Sequence, residues 1–310
     1  MEARGHSIVF EEAGKPYDIL LAIVQAPFDI LRRAKRNHIP IVQRLDGTFY
    51  WSVSKWRYPL LNLKARLIRH HFADYTVYQS KYSQKCAERF LGRKNGESSS
   101  IIVNGVDTML FSPQGETIPL REYPDQHIFF TASDFRREDQ LIPILKALQH
   151  YHFRHGDTFK FIIAGRFSRE LKGFEKRLNQ YPRTVFLGAI PNHELPRYER
   201  SADIFLFTHL NPPCPNNVLE AIACGLPVCG IADGAMPEII QQGKTGLLLE
   251  NAGDAFWKRR HYNAAAFAEN IDRILKDKTY FSQQSRARAT QHHSLDQMID
   301  AYESVFQTLL

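Results

Sequence analysis

A single glutamate, Glu220, stands one turn into a short predicted helix and is the first candidate for chemistry. The helix follows the run NPPCPNN and ends at Gly225. Asn216 and Asn217 are good N-cap residues, so this helix start would present backbone N–H groups and a partial positive charge. Such an end suits a phosphate or a sugar oxygen. Glu220 would accept hydroxyl hydrogen bonds from the same ligand, although a first-turn glutamate can also serve only to complement the helix dipole.

A second helix start follows the next predicted strand, in the stretch ADGAMPEII. Gly234 and Ala235 precede a short helix that has Pro237 near its first position and Glu238 in its first turn. Because glycine has no side chain, Gly234 would let the backbone approach a ligand closely. Two helix starts that face one cleft are a stronger indication of an anion site than either alone.

A pair of arginines, Arg136 and Arg137, follows another predicted strand in the stretch TASDFRRED. Guanidinium groups bind phosphates through two parallel hydrogen bonds, so both residues are candidate phosphate ligands. Ion pairing with the neighbouring Glu138 and Asp139 is the structural alternative.

Apolar runs that alternate with helical patterns must position these residues, and they predict an α/β protein with parallel sheets covered by helices. The strands are predicted at residues 17–24, 39–45, 75–80, 100–106, 127–133, 159–165, 184–190, 203–208, 226–231 and 246–250. The helices are predicted at residues 27–37, 58–72, 81–91, 138–155, 168–180, 193–201, 216–224, 236–242 and 263–277, with one more along the apolar stripe from Leu295 to Leu309.

A stretch rich in proline, glycine and charge, residues 112–125, predicts a boundary between two domains. The expected organisation is two Rossmann-like, doubly wound domains at 1–118 and 119–290, followed by a helix at 291–310 that packs back on the body. Such sheets bind ligands at the carboxyl ends of their strands, which here predicts a site in the cleft between the domains.

The composition is that of an ordinary globular protein, with 44% hydrophobic and 24% charged residues among 310. No apolar run reaches the length of a membrane span, and the acidic N-terminus argues against a signal peptide. The spacing of the four cysteines fits neither a zinc site nor a redox pair. Buried, reduced thiols in a cytoplasmic protein are therefore expected.

Positive charge is concentrated near the N-terminus, where residues 28–71 hold ten Lys or Arg against two acids, interleaved with aromatic residues. A solvated basic surface, an anionic membrane surface, a phosphate-bearing acceptor and nucleic acid all fit this composition. No nucleic-acid-binding module is recognisable in the sequence, so nucleic acid is not an expected partner.

Several segments resemble family 4 of the retaining glycosyltransferases, the glycosyl transferases group 1. The resemblance covers roughly residues 39–310, and its most specific part is the block PCPNNVLEAIACGLPVCGIADGAMPEIIQQGKTGLLL at 213–249. VNGVDTMLFSP at 103–113 resembles the segment that ends the family's N-terminal domain. FLGAIPNHELPRYERSADIFLF at 186–207 resembles the elements that precede its donor site.

The resemblance implies a GT-B fold with a nucleotide-sugar donor, UDP- or GDP-linked, held mainly by the C-terminal domain. It also implies transfer with retention of configuration, with neither a metal ion nor a cofactor. In the family's pattern the donor ribose contacts a glutamate that Glu220 matches. The remaining donor contacts fall on two short segments of this sequence: Asn216, Asn217 and Val218, and Gly234, Ala235 and Glu238.

The sequence departs from the family pattern at several positions. Pro212 stands where the family has the acid that contacts the sugar hydroxyls. Asp134 and Asp139 occupy the register of its diphosphate-binding Arg and Lys, for which Arg136 and Arg137 are the candidate substitutes. The N-terminal domain is also short, because no glycine-rich loop follows a first strand before Tyr17.

A further departure is Asp46, which stands where many members of the family have a histidine near the donor. Asp46 is a candidate for contact with the donor sugar, or for accepting the proton of the acceptor hydroxyl. A turn before Gly47 is the structural alternative for this residue.

These observations support a cytoplasmic enzyme that moves a sugar from a nucleotide sugar to a glycan or lipid-linked acceptor, with Glu220 and Asp46 as its candidate catalytic residues. Polysaccharide or lipopolysaccharide biosynthesis is the expected setting, with peripheral association at the inner face of the membrane through residues 28–71. The alternative is a non-catalytic GT-B protein that binds a nucleotide sugar or a partner transferase.

Overall fold

A computed structural model describes residues 1–10, 16–250, 256–257 and 262–310, which divide into two compact units. Unit 1 comprises Met1–Gly105 and Leu295–Leu310, and unit 2 comprises Val106–Ser294. The division lies before the expected boundary at residue 118, because the intervening segment bonds to unit 2. Val106 N donates to His293 O at 2.8 Å, and Arg286 donates to Phe111 O at 2.9 Å. The expected C-terminal helix of 291–310 is likewise divided between the units.

The described residues of unit 1 alternate strands and helices before the final helix. These elements are β1 (Leu20–Ile23), α1 (Phe28–Arg36), β2 (Ile41–Leu45), α2 (Trp51–Ser54), α3 (Tyr58–His71), β3 (Tyr75–Tyr78), α4 (Lys81–Leu91) and β4 (Ser99–Ile101). All strand pairs are parallel and the sheet order is β1-β2-β3-β4.

Unit 2 continues the same alternation. Its described elements are β5 (His127–Phe135), α5 (Ile142–His155), β6 (Phe159–Phe167), α6 (Phe174–Leu178), β7 (Thr184–Gly188), α7 (Leu195–Ser201), β8 (Ile204–Phe207), α8 (Asn216–Ala223), β9 (Val228–Ala232), α9 (Met236–Ile239), β10 (Gly246–Glu250), α10 (Ala264–Lys276) and α11 (Lys278–His292). The chain then returns to unit 1 as α12 (Leu295–Gln307). None of the described helices combines the length and apolarity needed to cross a membrane.

The sheet of unit 1 is covered on both faces because successive side chains of a strand point to opposite sides. On one face, Leu45 and Tyr78 pack against side chains of α3 and α4. On the other face, Val42 and Val77 pack against Tyr302 of α12. The apolar stripe predicted for the C-terminal helix is therefore core packing.

The sheet of unit 2 has the order β10-β9-β8-β5-β6-β7, with all described strands parallel. The chain builds outward from β5 to β7, then returns to the other side of β5 and builds outward again from β8 to β10. This is the doubly wound Rossmann order, in which the direction of building reverses between β5 and β8. The predicted α/β fold with parallel sheets is confirmed.

Helix α11 is missing from the sequence prediction because its fifteen residues are mostly polar and carry no broad apolar stripe. Its buried residues are Phe281, Ser285 and Ala289, which repeat every four positions. The helix is held by polar contacts: Ser285 Oγ donates to Thr245 O at 3.1 Å, and Arg286 donates to Ala223 O at 2.7 Å. A narrow stripe with a serine at its centre carries little hydrophobic signal.

One arginine of the basic N-terminal region is buried inside unit 1. Arg69 on α3 is 1% exposed and forms two hydrogen bonds of 2.8 Å with the Glu97 carboxylate, which also accepts from Thr76 and Tyr78. Burial raises the pKa of Glu97, but the bonds from Arg69, Tyr78 and Thr76 outweigh burial and hold it below its ordinary value. Arg69 therefore belongs to the core and not to a basic surface.

We expect Glu97→Ala to lower the free energy of unfolding by about 3–5 kcal/mol, because it leaves the Arg69 charge buried without its partner. Urea denaturation followed by circular dichroism measures this loss. Glu88→Ala is the matched control, since Glu88 forms a longer contact of 3.8 Å with Arg93, which is 84% exposed. That change should cost no more than about 1 kcal/mol. Equal losses in the two variants would contradict a special role for the buried pair.

Candidate functional site

The reversal between β5 and β8 brings two polar loops to the carboxyl end of the unit 2 sheet. β5 is followed by a loop and a short 3₁₀ turn at Glu138–Gln140, and β8 is followed by the segment that leads into α8. Because β5 and β8 are adjacent and parallel, both loops leave the sheet at the same edge. Open α/β sheets bind ligands in the crevice at this point.

Gln140 joins the two loops and fixes their geometry. Its Oε1 accepts hydrogen bonds from Arg136 N at 2.6 Å and Arg137 N at 3.0 Å. Its Nε2 lies 3.0 Å from His209 Nδ1, and its carbonyl accepts from Thr208 Oγ1 at 2.8 Å. The backbone that carries Arg136 is therefore tied to the end of β8.

The bonds of Gln140 also decide the protonation state of His209. Since Oε1 accepts from two backbone N–H groups, Nε2 is the amide donor and His209 Nδ1 must accept. The proton of the neutral ring is therefore on Nε2, which is buried and has no partner among the described residues. Burial, assisted by the charge of Arg137, lowers the pKa of His209 to about 3. The ring is a neutral hydrogen-bond donor at physiological pH, stacked on Phe207 at 4.5 Å.

The acidic residues at the end of β5 and in the loop that follows it form ion pairs with arginines. Three ion pairs do this: Arg137 with Asp139, Arg166 with Asp134, and Arg177 with Glu138. The hydrogen bond from Arg166 lowers the pKa of Asp134, which keeps that carboxylate ionised. Ion pairing, the structural alternative for the arginine pair, therefore applies to Arg137.

Arg136 differs from its neighbour. Its side chain is exposed and forms no ion pair within hydrogen-bonding distance among the described residues, although its charge acts on the nearby Asp134, which is bonded to Arg166. The structure thus separates the two predicted phosphate ligands, because Arg136 is available to an anion whereas Arg137 is committed to Asp139.

Helix α8 begins at Asn216, but its N-cap is Pro215 and not one of the two asparagines. Proline has no side-chain acceptor, so no side chain caps the first turn at this position. Asn217 has another role: its Nδ2 donates to Ala132 O at 2.6 Å and its Oδ1 accepts from Val218 N at 3.0 Å. The expected capping by the asparagines is therefore wrong, because Asn217 fastens α8 to β5.

Glu220 lies one turn into α8, as expected, and is partly buried. Its Oε1 accepts a 3.1 Å hydrogen bond from Asn192 Nδ2, in the loop that follows β7. Burial raises the pKa of Glu220, and the bond from Asn192 partly offsets that rise. A residue that served only to complement the helix dipole would be exposed and would lack this positioning contact.

The second predicted helix start, after β9, is bonded to the loop that follows β8. Pro212 O accepts from Ala235 N at 2.8 Å, and Asn211 N donates to Asp233 Oδ2 at 2.8 Å. A β-carbon at Gly234 would lie 2.3 Å from Pro212 Cδ, so the missing side chain makes room for Pro212. Helix α9 is only four residues long, with Glu238 in its first turn.

A second carboxyl group, Glu199 on α7, is buried near Glu220. It is 1% exposed, and neither of its oxygens accepts a nitrogen or oxygen donor within the described part of the chain. The thiol of Cys224 lies beside it. Burial raises the pKa of Glu199 well above its ordinary value, and the charge of Glu220 raises it further. Because a buried carboxylate without a nitrogen or oxygen donor is costly, the fold favours the protonated form of Glu199.

The remaining predicted site residue, Asp46, lies in unit 1 directly after β2. Arg44 Nε lies 2.8 Å from Asp46 Oδ1, and a second nitrogen of Arg44 donates to Asn104 Oδ1 at 3.3 Å. Gln79, after β3, donates to the same Asn104 oxygen at 3.0 Å. Burial raises the pKa of Asp46, and Arg44 partly offsets this rise. Asp46 thus belongs to a polar cluster at the carboxyl end of its own sheet.

Several residues of the site were not found from the sequence. They share one feature, which is that each follows a strand of unit 2: Gln140 after β5, Asn192 after β7, His209 after β8 and Asp233 after β9. Position after a strand was the available signal, because the carboxyl ends of parallel strands share one edge. Among the described residues, no group of three or more His, Cys, Asp or Glu is arranged to hold a metal ion.

Residues 125–277 match the protein family described as "Glycosyl transferases group 1". The match lies inside unit 2 and covers the loops described above. Unit 2 therefore carries a glycosyl transferases group 1 domain, and the predicted resemblance is confirmed at this level.

Two curated relatives show how far the sequence similarity extends. The chain is 27% identical over 198 residues to the GDP-mannose-dependent alpha-(1-6)-phosphatidylinositol monomannoside mannosyltransferase of Mycolicibacterium smegmatis, which covers 57% of this chain and 49% of that protein. It is 22% identical over 223 residues to the N-acetyl-alpha-D-glucosaminyl L-malate synthase of Bacillus anthracis, covering 70% and 55%. The chain thus spans about half the length of these relatives.

The fold is also that of a solved structure, Anabaena HepE in complex with UDP and glucose. The TM-score is 0.74 at 19% identity, and the match covers 94% of this chain and 78% of HepE. At this identity the likeness concerns the fold alone. It identifies the two parallel-sheet, Rossmann-like units as the GT-B type.

We expect Gly234→Ala to destabilise the protein by about 1–3 kcal/mol more than Gly243→Ala. Both glycines have a positive φ, 59° and 76°, so both variants carry the backbone strain of an L residue. Only at Gly234 does a β-carbon overlap Pro212, whereas Gly243 has nothing within 4 Å. Urea denaturation measures the difference, and equal losses would contradict the packing of Pro212 on Gly234.

We expect Glu199→Gln to stabilise the protein at about pH 8 and to leave its stability nearly unchanged at about pH 4. A folded-state pKa above the unfolded value stabilises the fold only below the unfolded pKa, and the benefit is lost as pH rises toward the folded pKa. Glutamine removes this loss. Melting temperatures at the two pH values measure the effect, with the less buried Glu194→Gln as control. A pH-independent change would show that Glu199 is not protonated in the fold.

Proposed function

Because unit 2 carries a glycosyl transferases group 1 domain, we propose that the protein is a glycosyltransferase whose nucleotide-sugar donor binds at the carboxyl end of the unit 2 sheet. The observation that carries the proposal is the convergence of Arg136, the start of α8 and Glu220 at the reversal between β5 and β8. A cationic side chain, a helix N-terminus and a partly buried carboxylate at one edge fit a diphosphate joined to a ribose.

Each of these groups has a role in the proposed reaction. Arg136 and the positive end of the α8 dipole bind the diphosphate and stabilise the charge that it gains as the leaving group. Glu220, oriented by Asn192, accepts hydrogen bonds from the ribose hydroxyls. His209 supplies a neutral N–H donor at the same edge, held in one tautomer by Gln140.

The second loop contributes less to the donor than the family pattern implies. In the loop after β9, Ala235 N already donates to Pro212 O. On α8, Val218 N is likewise occupied, because it donates to Asn217 Oδ1. Gly234 and Ala235 therefore shape the wall of the donor site by packing on Pro212. Glu238 lies in the first turn of α9, at the same edge of the sheet.

The finer features of the activity are part of the proposal. Transfer proceeds with retention of configuration and without a metal ion, from a UDP- or GDP-linked sugar to a glycan or lipid-linked acceptor in the cytoplasm. Asp46, whose pKa is raised by burial, suits the acceptor side as the group that takes up the proton of the attacking hydroxyl. Two similar proteins support a nucleotide-sugar donor. The mannosyltransferase of Mycolicibacterium smegmatis is GDP-mannose-dependent, and HepE was solved in complex with UDP and glucose.

A non-catalytic protein that binds a nucleotide sugar or a partner transferase is the second candidate. One observation favours it. Pro212 stands where the family pattern has an acid that contacts the sugar hydroxyls, and the Pro212 carbonyl accepts the hydrogen bond of Ala235 N. This protein would bind the nucleotide through Arg136 and Glu220 but would not turn the sugar over.

We expect UDP- or GDP-sugars to raise the melting temperature of the wild type, because a ligand that binds only the folded state stabilises it. Arg136→Ala and Glu220→Ala should each weaken binding by roughly tenfold or more, the loss of a charge-assisted hydrogen bond. Lys244→Ala is the control, since Lys244 precedes β10 at the opposite edge of the parallel sheet. The proposal fails if no nucleotide sugar shifts the wild type, or if the control weakens binding equally.

Turnover separates the two candidates. Donor hydrolysis or transfer by the wild type, measured as nucleoside diphosphate released, supports the enzyme, and NMR of the product's anomeric proton tests retention. Binding without any release, with a broad set of glycan and lipid-linked acceptors, supports the non-catalytic protein.

A further inference from the structure

Unit 1 has an exposed apolar surface on the outer side of α2 and α3 that no described residue covers. Trp56 and Leu60 are 75% and 70% exposed, and Trp51 and Leu63 are 40% and 45% exposed. We call this set the outer surface. The opposite side of α3 buries Asn62, Ala65, Ile68 and Arg69 against the rest of the unit. Helix α3 is thus apolar on a face that its own fold does not use.

The spacing places these side chains together. Leu60 and Leu63 are three residues apart on α3 and lie on one side of the helix. Trp56 stands in the 3₁₀ turn at Lys55–Arg57 that leads into α3, and Trp51 begins α2 immediately before that turn. Contiguous exposed apolar surface that includes tryptophan is typical of an interaction site rather than of a solvated face.

The charge around the outer surface is strongly positive. Of the ten basic residues between 28 and 71, three pair with acids: Lys35 with Asp74, Arg44 with Asp46, and Arg69 with Glu97. Others are exposed and have no acidic partner among the described residues, namely Arg32, Arg36, Lys55, Arg57 and Arg66. Of the two acids of the region, Asp46 is tied to Arg44 and Asp29 lies on α1. Residues 51–71, which carry the outer surface, contain five Lys or Arg and no acid, so the charge at this surface is positive.

We propose that the outer surface binds an anionic lipid membrane, with Trp56 and Leu60 entering the interfacial layer and the flanking arginines and lysines contacting lipid phosphates. Tryptophan and leucine on one side of a helix with basic residues around them are the combination that lies in a bilayer interface. A basic residue near an anionic leaflet adds a favourable contribution of its own, which salt screens.

The test uses the full chain and vesicles of phosphatidylcholine with or without phosphatidylglycerol. The sequence has three tryptophans, Trp51, Trp56 and Trp257, so Trp257→Phe leaves only those of the outer surface. We expect this variant to float with anionic vesicles, and its fluorescence to shift to shorter wavelength as the two indoles leave water. High salt should weaken the binding, and vesicles of phosphatidylcholine alone should bind far less.

Two variants separate the apolar from the charged contribution. Trp56→Ser with Leu60→Ser should weaken vesicle binding by roughly tenfold or more, from the apolar area lost. Lys55→Gln with Arg57→Gln should weaken it by roughly tenfold at low salt and far less at high salt. Phe153→Ser, at a side chain 90% exposed in unit 2, and Lys176→Gln are the matched controls and should bind as the wild type does. Unchanged melting temperatures show that the variants are folded.

Other results overturn the proposal. Absence of flotation or of a fluorescence shift with anionic vesicles would do so, as would equal losses in the controls. Salt-sensitive binding to duplex DNA with none to vesicles would assign the surface to nucleic acid. A concentration-dependent dimer without lipid, abolished by Trp56→Ser with Leu60→Ser, would assign it to a second copy of the chain. Because binding is measured without turnover, none of these outcomes depends on the proposed transfer reaction.

Discussion

The described strands of both units run parallel to their neighbours, and this constraint determines where chemistry is possible. Because neighbouring strands run in the same direction, the carboxyl ends of all strands lie at the same edge of their sheet. The connections between parallel strands cross over the sheet. In unit 2 the order reverses between β5 and β8, and the loops that follow these strands diverge from a common point. Arg136, Gln140 and His209 meet there because of that reversal, although almost 70 residues of chain separate Gln140 from His209.

A second level of organisation is the hydrogen bonding among those loops. Gln140 satisfies two backbone N–H groups and one imidazole nitrogen with a single side chain, which fixes both the loop and the histidine tautomer. Asn217 fastens α8 to β5, and Asn192 orients Glu220. In the proposed donor site, residues supported in this way are held in place before any ligand arrives, which lowers the entropic cost of binding.

Pro212 has acquired a structural role where a carboxylate would bind a sugar. Its carbonyl accepts from Ala235 N, and its ring occupies the space that a side chain at Gly234 would fill. The consequence is a firmly joined pair of loops with one acceptor fewer for the donor sugar.

By itself, the sequence determined the ten described strands, most of the helices and the resemblance to the family. Apolar runs alternating with helical patterns predicted the ten strands found in the described residues, and the 213–249 block pointed to the domain in unit 2. The segment around Glu220 was sufficient to place that residue one turn into a helix. These features could be predicted because hydrophobic periodicity and turn residues act over a few positions.

Only the tertiary structure decided which partners each polar group has. Arg136 and Arg137 are identical in type and adjacent in sequence, yet one is exposed and the other pairs with Asp139. Arg69 belongs by composition to a basic surface, but the fold buries it against Glu97. Helix α11 is stabilised by contacts with distant carbonyls that no local pattern encodes. Charge pairing and burial depend on residues brought together from far apart in the chain, so the sequence names the groups and the fold assigns their partners.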